Sequence, residues 1–469
     1  MTLQRLSSAT ELPETVTGPT FDRTKLRPGI VHFGLGAFHR AHQAVYTQKA
    51  LEAEFGPWGI VAVNLRSPEP VKAIAEQDGL YSITVRDTEG DRSQVIGSTV
   101  DWICAADQRD QVLAYLASPD IRIVTLTVSE KAYGLHPTTG GLDPDHPSVA
   151  ADLQNPQAPV GPIGFIVEGL ALRRNLDVAP FTVLCCDNLP SNGKILRRLV
   201  LDMANRRDPA LAEWIAENGA FPSSMVDRIV PAATEETRQR ASRLLGVEDA
   251  LALDTEPFLQ WVIEDEFVSG RPQWEAAGAL FAVDVEPYEK MKLRLLNGSH
   301  TLLAHLGLLD GLECTRDVMT VERHVADVER HLNTVVKTLD PVPGIDLSAY
   351  IQQLLQRFAN PTIAHRCAQI AMDTSQKIPQ RIFGPAVEVL GQGEDGAAYA
   401  HVVGVWLAAV CRLQDCNDPR RDELLSAAAK SSDEQPSAPF FKIPGLFPQA
   451  LIDSQAWRAL VDAEMKQWR

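Results

Sequence analysis

The chain has 469 residues, 45% hydrophobic and 22% charged, which fits an ordinary soluble globular protein and sets an expectation of two or more domains. A formal net charge of −17 removes any general electrostatic reason to bind nucleic acid or an anionic membrane surface, so an anionic ligand must be held by local groups. The seven cysteines, odd in number and without a C-x-x-C pair, suggest neither a disulfide framework nor a structural zinc site; reduced thiols in a cytoplasmic protein are the expected state.

The opening run M-T-L-Q-R-L-S-S has no apolar stretch of the kind a signal peptide needs, and the longest apolar-looking run, 401–413, is too short to span a bilayer. Strands are predicted at 29–33, 59–64, 80–86, 94–102, 122–128 and 181–186. Helical patterns follow several of them, at 42–54, 108–117 and 192–205. Strands alternating with helices imply a parallel, doubly wound sheet. The strands of the 80s and 90s flank D-T-E-G-D, which signals a hairpin instead.

The first strand empties into I-V-H-F-G-L-G-A-F-H-R-A-H-Q, residues 30–43. Gly34 and Gly36 would let the backbone approach a pyrophosphate at a helix N-terminus, with Phe38 beside them, although His39 stands where the third glycine of G-x-G-x-x-G is usual. His39 and His42 read as capping or supporting groups, so no metal is expected. After the second strand comes V-N-L-R-S-P-E-P, with Asn64, Arg66 and Ser67 in place of the usual ribose-binding acid. Arg66 could contact a 2′-phosphate, which leaves NAD and NADP both open.

The proline-rich segment 136–162 carries few helix or strand signals and reads either as a cover over a cleft or as a solvated excursion. The run T-V-L-C-C-D-N-L-P-S-N-G, 182–193, places Asp187, Asn188 and Asn192 at the carboxyl end of a strand, where ligands bind in such sheets. Asn192-Gly193 fits a helix cap, which makes Asn188 the better functional candidate.

From about residue 287 the pattern turns helical, with helices predicted at 321–339, 347–358, 361–372, 398–413 and 450–468. Asn360-Pro361 reads as the cap and first residue of one of them. The expected domains are therefore 1–286 and 287–469. Within Y-E-K-M-K-L-R-L-L-N-G-S-H-T, 288–301, ideal α-helical spacing puts Lys292, His300 and Asn297 at roughly 0°, 80° and 140°. An amine, an imidazole and an amide on one face suit alcohol/ketone chemistry. An amphipathic core helix with a snorkelling lysine fits the same residues.

The G-L-G-A-F-H-R-A-H-Q run, C-D-N-x-x-x-N-G, F-P-S-S-M-V-D-R-I-V-P (221–231), E-P-F-L-Q-W-V-I-E-D (256–265) and K-L-R-L-L-N-G-S-H (292–300) occur in that order. Together they resemble the mannitol dehydrogenase family of long-chain polyol dehydrogenases. The V-N-L-R-S-P and Q-I-A-M-D-T-S-Q-K-I-P-Q-R (369–381) segments look closer to its fructuronate reductase, or mannonate oxidoreductase, branch.

The resemblance implies a Rossmann-type α/β domain followed by a mostly α-helical C-terminal domain, with the active site between them and no zinc. It implies an NAD-dependent oxidoreductase, with NADP possible, that interconverts a secondary alcohol and a ketone of an acyclic aldonate or polyol. Carried over by position, Lys292 is the base, and Asn188 and Asn297 are the amides that stabilise the oxygen. His300 and Lys377 contact substrate hydroxyls, Asp227 is a neighbouring polar group, and Glu289 relays a proton. Gly34, Gly36, Phe38 and Arg66 form the expected cofactor set.

Mannitol-type members carry an arginine where this chain has Gln369. Arg366, three residues earlier, then joins Lys377 and Arg381 as a candidate partner for a substrate carboxylate. The expected partner is a small sugar alcohol or sugar acid, for a cytoplasmic monomer or homo-oligomer. An oxidative decarboxylase of the β-hydroxyacid dehydrogenase kind, a non-catalytic dinucleotide-binding protein and a zinc alcohol dehydrogenase stand as alternatives.

Overall fold

Valine and isoleucine dominate the runs that become Pro28–Phe33, Gly59–Asn64 and Ile123–Leu126, and these strands are buried on both faces. Their side chains alternate between two cores. Val31, Phe33, Val61, Val63 and Val124 pack to one side, and Ile30, Ile60, Ala62 and Ile123 to the other. The computed structural model describes residues 3–136 and 139–468. Met1 and Thr2 of the amino-terminal run, and Pro137 and Thr138 of the 136–162 segment, lie outside the described residues.

The chain divides into two compact units, Met1–Glu286 and Pro287–Arg469. The first is built on a five-stranded parallel sheet. Its spatial order is Thr99–Cys104, Gly59–Asn64, Pro28–Phe33, Ile123–Leu126, Thr182–Cys185. Counted along the chain this is 3-2-1-4-5, the doubly wound order of a Rossmann-type sheet, and the order reverses between Pro28–Phe33 and Ile123–Leu126. Tyr81–Val85 and Arg92–Ile96 form the expected antiparallel hairpin, in a separate four-stranded sheet. Ser224–Asp227, Gln260–Glu264 and Leu280–Ala282 make a third sheet.

The single strand expected at 94–102 is two strands, Arg92–Ile96 and Thr99–Cys104, in different sheets. The break sits at Gly97, whose amide donates to Gln48 Oε1 (2.7 Å) and whose carbonyl accepts from Arg23 Nε (3.0 Å). Side chains thus take the bonds that a sheet partner would make. The helix expected at 42–54 is Gln43–Ala53, and a separate short helix, Ala37–Ala41, precedes it across a break at His42. The 136–162 segment is not an unstructured excursion. It contains the helix Pro147–Gln154, and the Asp152 carboxylate accepts the amides of Val160 (2.7 Å) and Gly161 (3.1 Å), closing the segment on itself.

The second unit is helical. Its central helix, Gly298–Asp310, is buried almost all round and packs against Ala397–Leu413, Glu322–Val335 and Cys367–Ile370. Leu347–Ala359 and Ala397–Leu413 match their expected spans to within a residue. The expected helix at 361–372 is only Cys367–Ile370. Asn360 ends the preceding helix, and its Oδ1 accepts from Thr362 N (3.0 Å) and Oγ1 (2.7 Å), so it builds a turn and is not an N-cap. The chain then runs extended, with Cys367 N donating to Glu313 O (2.9 Å) and Thr315 N to His365 O (3.0 Å). The 450–468 pattern is likewise split at Ser454, whose hydroxyl caps Trp457 N. No helix among the described residues is long and apolar enough to cross a membrane.

Candidate active site

The carboxyl ends of the parallel strands open onto a cleft of about 630 Å³ in the first unit, lined among others by Gly34, Gly36, Asn64, Arg66, Val128 and Ser129. His146–Ser148 and Val160–Pro162 line it too, so the 136–162 segment forms part of its wall. Gly34 holds φ +112°, and a Cβ there would stand 2.0 Å from Thr127 O. Only glycine fits. Nothing lies within 4 Å of a Cβ built on Gly36, which is open to the cleft and caps the helix Ala37–Ala41 without a side-chain bond.

Behind this turn His32 places Nε2 2.9 Å from Gly34 O and Nδ1 2.8 Å from Thr125 Oγ1, and its ring stacks on His39 at 3.5 Å. Burial pushes His32 down to about 3 and His39 well below the ordinary histidine value, so both imidazoles are neutral. His39 Nδ1 lies 2.9 Å from Gln43 Oε1, and His42 Nε2 lies 2.9 Å from Gln260 O. These are supporting roles. No group of three or more metal-ligating side chains occurs among the described residues.

Arg66 reaches the cleft, but Phe38 does not line it and stacks on the His42 ring at 4.9 Å. The ribose-binding acid usual after the second strand is absent, with Asn64, Arg66 and Ser67 in its place. Glu69 opens the helix Glu69–Ala75, its carboxylate accepts from Ser67 Oγ (2.5 Å), and that bond lowers its pKa. Asn192 is fully engaged: Nδ2 donates to the carbonyls of Cys185, Asp187 and Ser224, and Oδ1 accepts from Ser224 N. Asn188 is exposed, and Asp227 is buried at the end of its strand.

In the second unit the helix that carries Lys292 is not a continuous α-helix. Glu286–Met291 is α, Lys292–Asn297 winds as a π-helix, and Gly298–Asp310 resumes α. Residue i+5 in a π-turn takes the place of i+4 in an α-turn, so Asn297 moves from roughly 140° to roughly 40° from Lys292. The lysine and the amide therefore lie closer to one line than ideal α spacing allows. Lys292, Asn297, His300 and Glu289 are all buried.

A second π-turn, Pro379–Phe383, packs against the first, and its Arg381 donates to Asn297 O (3.3 Å) and Thr301 Oγ1 (3.3 Å). His300 lies edge-on to His365 at 4.9 Å and near the Phe358 ring at 5.1 Å. Burial, then the neighbouring His365, Arg357, Arg381 and Lys292, hold the His300 pKa well below its ordinary value. His365 is pushed down to about 4 by burial and by Arg357 and Lys377. Two neutral imidazoles are thus ringed by cationic groups.

Lys377, half-buried, donates to Met372 O (2.6 Å). Arg366 does not join this group; it is exposed and faces Glu313 at 3.4 Å. Arg357 does, and sequence reasoning missed it, because an arginine in an amphipathic helix ordinarily marks the solvent face.

A family model described as the mannitol dehydrogenase Rossmann domain matches residues 28–276, and one described as the mannitol dehydrogenase C-terminal domain matches residues 284–438. D-mannonate oxidoreductase of Escherichia coli (strain K12) is 45% identical over 397 residues, covering 84% of this chain and 82% of that protein. A mannitol 2-dehydrogenase of Aspergillus terreus is 37% identical over 450 residues, covering 92% and 89%. The structure of Pseudomonas fluorescens mannitol 2-dehydrogenase in ternary complex with NAD and D-mannitol superposes with a TM-score of 0.89 at 34% identity, covering 99% of this chain and 96% of that one.

Proposed function

The chain belongs to the mannitol dehydrogenase family, and we propose that it is an NAD-dependent dehydrogenase acting on an acyclic sugar acid of the D-mannonate type in preference to a polyol such as D-mannitol. The observation that carries the substrate preference is the group around His300, where Arg357, Arg381 and, beside His365, Lys377 concentrate positive charge on a protein whose net charge is −17. A carboxylate gains charge-assisted hydrogen bonds from such groups and a neutral polyol does not. Higher identity to the D-mannonate oxidoreductase than to the mannitol 2-dehydrogenase, and Gln369 in place of arginine, support the same reading.

NAD, when bound, accepts the hydride from the carbinol carbon. The Gly34–Gly36 turn and the cleft beyond it suit a dinucleotide pyrophosphate. Lys292, in its neutral form, takes the hydroxyl proton. Asn297 and Asn188 donate amide N–H groups to the oxygen as it becomes a carbonyl. His300, held neutral, offers one donor and one acceptor to a neighbouring hydroxyl. Glu289, buried three residues before Lys292, takes the part of the proton relay.

Steady-state kinetics with D-mannonate and D-mannitol, each with NAD and NADP, test the reading. We expect kcat/KM for mannonate with NAD to exceed that for mannitol at least about tenfold, one charge-assisted hydrogen bond's worth. A tenfold excess for mannitol overturns the substrate class.

A further inference from the structure

The strands Ile123–Leu126 and Thr182–Cys185 lie side by side, and the first runs on beyond the sheet into the cleft wall. Cys186 N donates to Leu126 O (2.9 Å), extending the ladder by one bond. The next residue, Asp187, turns its carboxylate across to the neighbouring segment. Oδ2 accepts from Val128 N (2.9 Å) and from Tyr133 Oη (2.7 Å), and Oδ1 faces Ser129 N at 3.4 Å. Asn192 Nδ2 donates to the Asp187 carbonyl at 3.1 Å, so the main chain behind the carboxylate is fixed as well.

The segment so held is strained. Ser129 has φ +72° and ψ 153°, a combination that glycine adopts freely and other residues do not. Val128, Ser129 and Lys131 line the same cleft as Gly34 and Gly36. A strained serine in a ligand-facing loop persists only if surrounding bonds over-determine it, and the carboxylate of Asp187 supplies those bonds.

We propose that Asp187 is a positioning residue for the cofactor: through the amides of Val128 and Ser129 and the hydroxyl of Tyr133 it holds the 128–133 segment in the conformation that receives the dinucleotide. This rests on the reading that the cleft binds NAD. Burial raises the Asp187 pKa, while the three hydrogen bonds favour its ionised form.

The test measures the NAD dissociation constant by calorimetry, together with kcat and KM for NAD, in wild type, Asp187→Asn, Ser129→Gly and the double variant. Asparagine keeps the size but sets an NH₂ group against donors, so Asp187→Asn should raise KM and Kd for NAD about tenfold or more. Its kcat at saturating NAD should stay within about threefold of wild type, because the loss falls on cofactor binding and not on the chemical step.

Ser129→Gly alone is the reference against which the double variant is read. In the Asp187→Asn background it should restore most of the affinity, because glycine needs nothing to hold it at φ +72°. A merely structural role for Asp187 would lower melting temperature and kcat without rescue. If Asp187→Asn does not fold, Tyr133→Phe serves, with an expected rise in KM for NAD of about threefold from one lost donor. NAD binding in wild type that is matched by Asp187→Asn, or a double variant no better than Asp187→Asn, overturns the proposal. No NAD binding in wild type instead overturns the cofactor reading beneath it.

Discussion

Replacing Lys292 by methionine removes the amine and keeps most of the side chain's volume, so the π-turn should survive the change. The position is 7% exposed, which leaves little room for bulk water or hydroxide to take over as base. A positioned general base contributes about 10²–10⁴-fold, and the burial places the expected loss in kcat toward the upper end, near 10³–10⁴-fold. The assay is the pH profile of substrate oxidation at saturating NAD. Wild type should show a rising limb as Lys292 loses its proton. His300 does not supply that limb, because it is already neutral across the range in which the enzyme is assayed. Lys292→Met should lose both rate and limb, whereas Asn297→Ala should lose about 10²–10³-fold and keep the limb, since it removes a donor and not the titrating group. Methylamine added to Lys292→Ala should restore part of the rate, with a pH dependence that follows the added amine. A folded Lys292→Met that keeps its rate and its limb refutes the mechanism.

Three further outcomes follow from burial and backbone geometry. His32, His39, His300, His305, His331 and His365 are all held neutral by burial, with folded values down to about 3 to 4 where resolved. Between those values and the unfolded value near 6.5 the unfolded chain binds more protons, so stability falls as pH falls, by about 2 kcal/mol at pH 5 for each of His32, His305, His331 and His365. Melting temperature should drop steeply from pH 7 to 5, and a flat profile would show that these imidazoles titrate normally. Gly34→Ala, with its methyl 2.0 Å from Thr127 O, should weaken NAD about ten- to hundredfold and lower the melting temperature. Gly36→Ala meets no protein atom within 4 Å, so calorimetry should show a loss of NAD affinity with the melting temperature unchanged.

What could be read from sequence tracked how local each cause was. The Gly59–Asn64 strand was legible to the residue, because a run of β-branched side chains between turns has one ready explanation. The 361–372 helix was misread, because Asn360 and Pro361 suit a turn as well as a cap, and the choice was settled by backbone bonds to residues 313 and 315, far off in sequence. Lys292, Asn297 and His300 were identified by type and spacing, but their angular relation was misjudged. A π-turn leaves no periodicity signal when apolar residues occur on both sides of it. Arg357 and the carboxylate of Asp187 were invisible as partners, since each acts on residues that only the fold brings near.

The π-turn at Lys292–Asn297 also bears on how such a site arises and is lost. A π-turn holds one residue more than the α-turn it replaces, so the natural unit of change here is insertion or deletion, not substitution. Removing a single residue between Lys292 and Asn297 would let the helix run straight, with a more regular ladder, and would leave its two flanks in nearly their present relation, because i+4 in an α-turn falls where i+5 falls in the π-turn. Lys292, Asn297 and His300 would still share a face in such a relative, whereas keeping every residue and winding the segment as α would swing one flank by about 100° and part them. A one-residue gap in this helix is therefore compatible with the same arrangement of the three side chains, and does not by itself mark loss of the site.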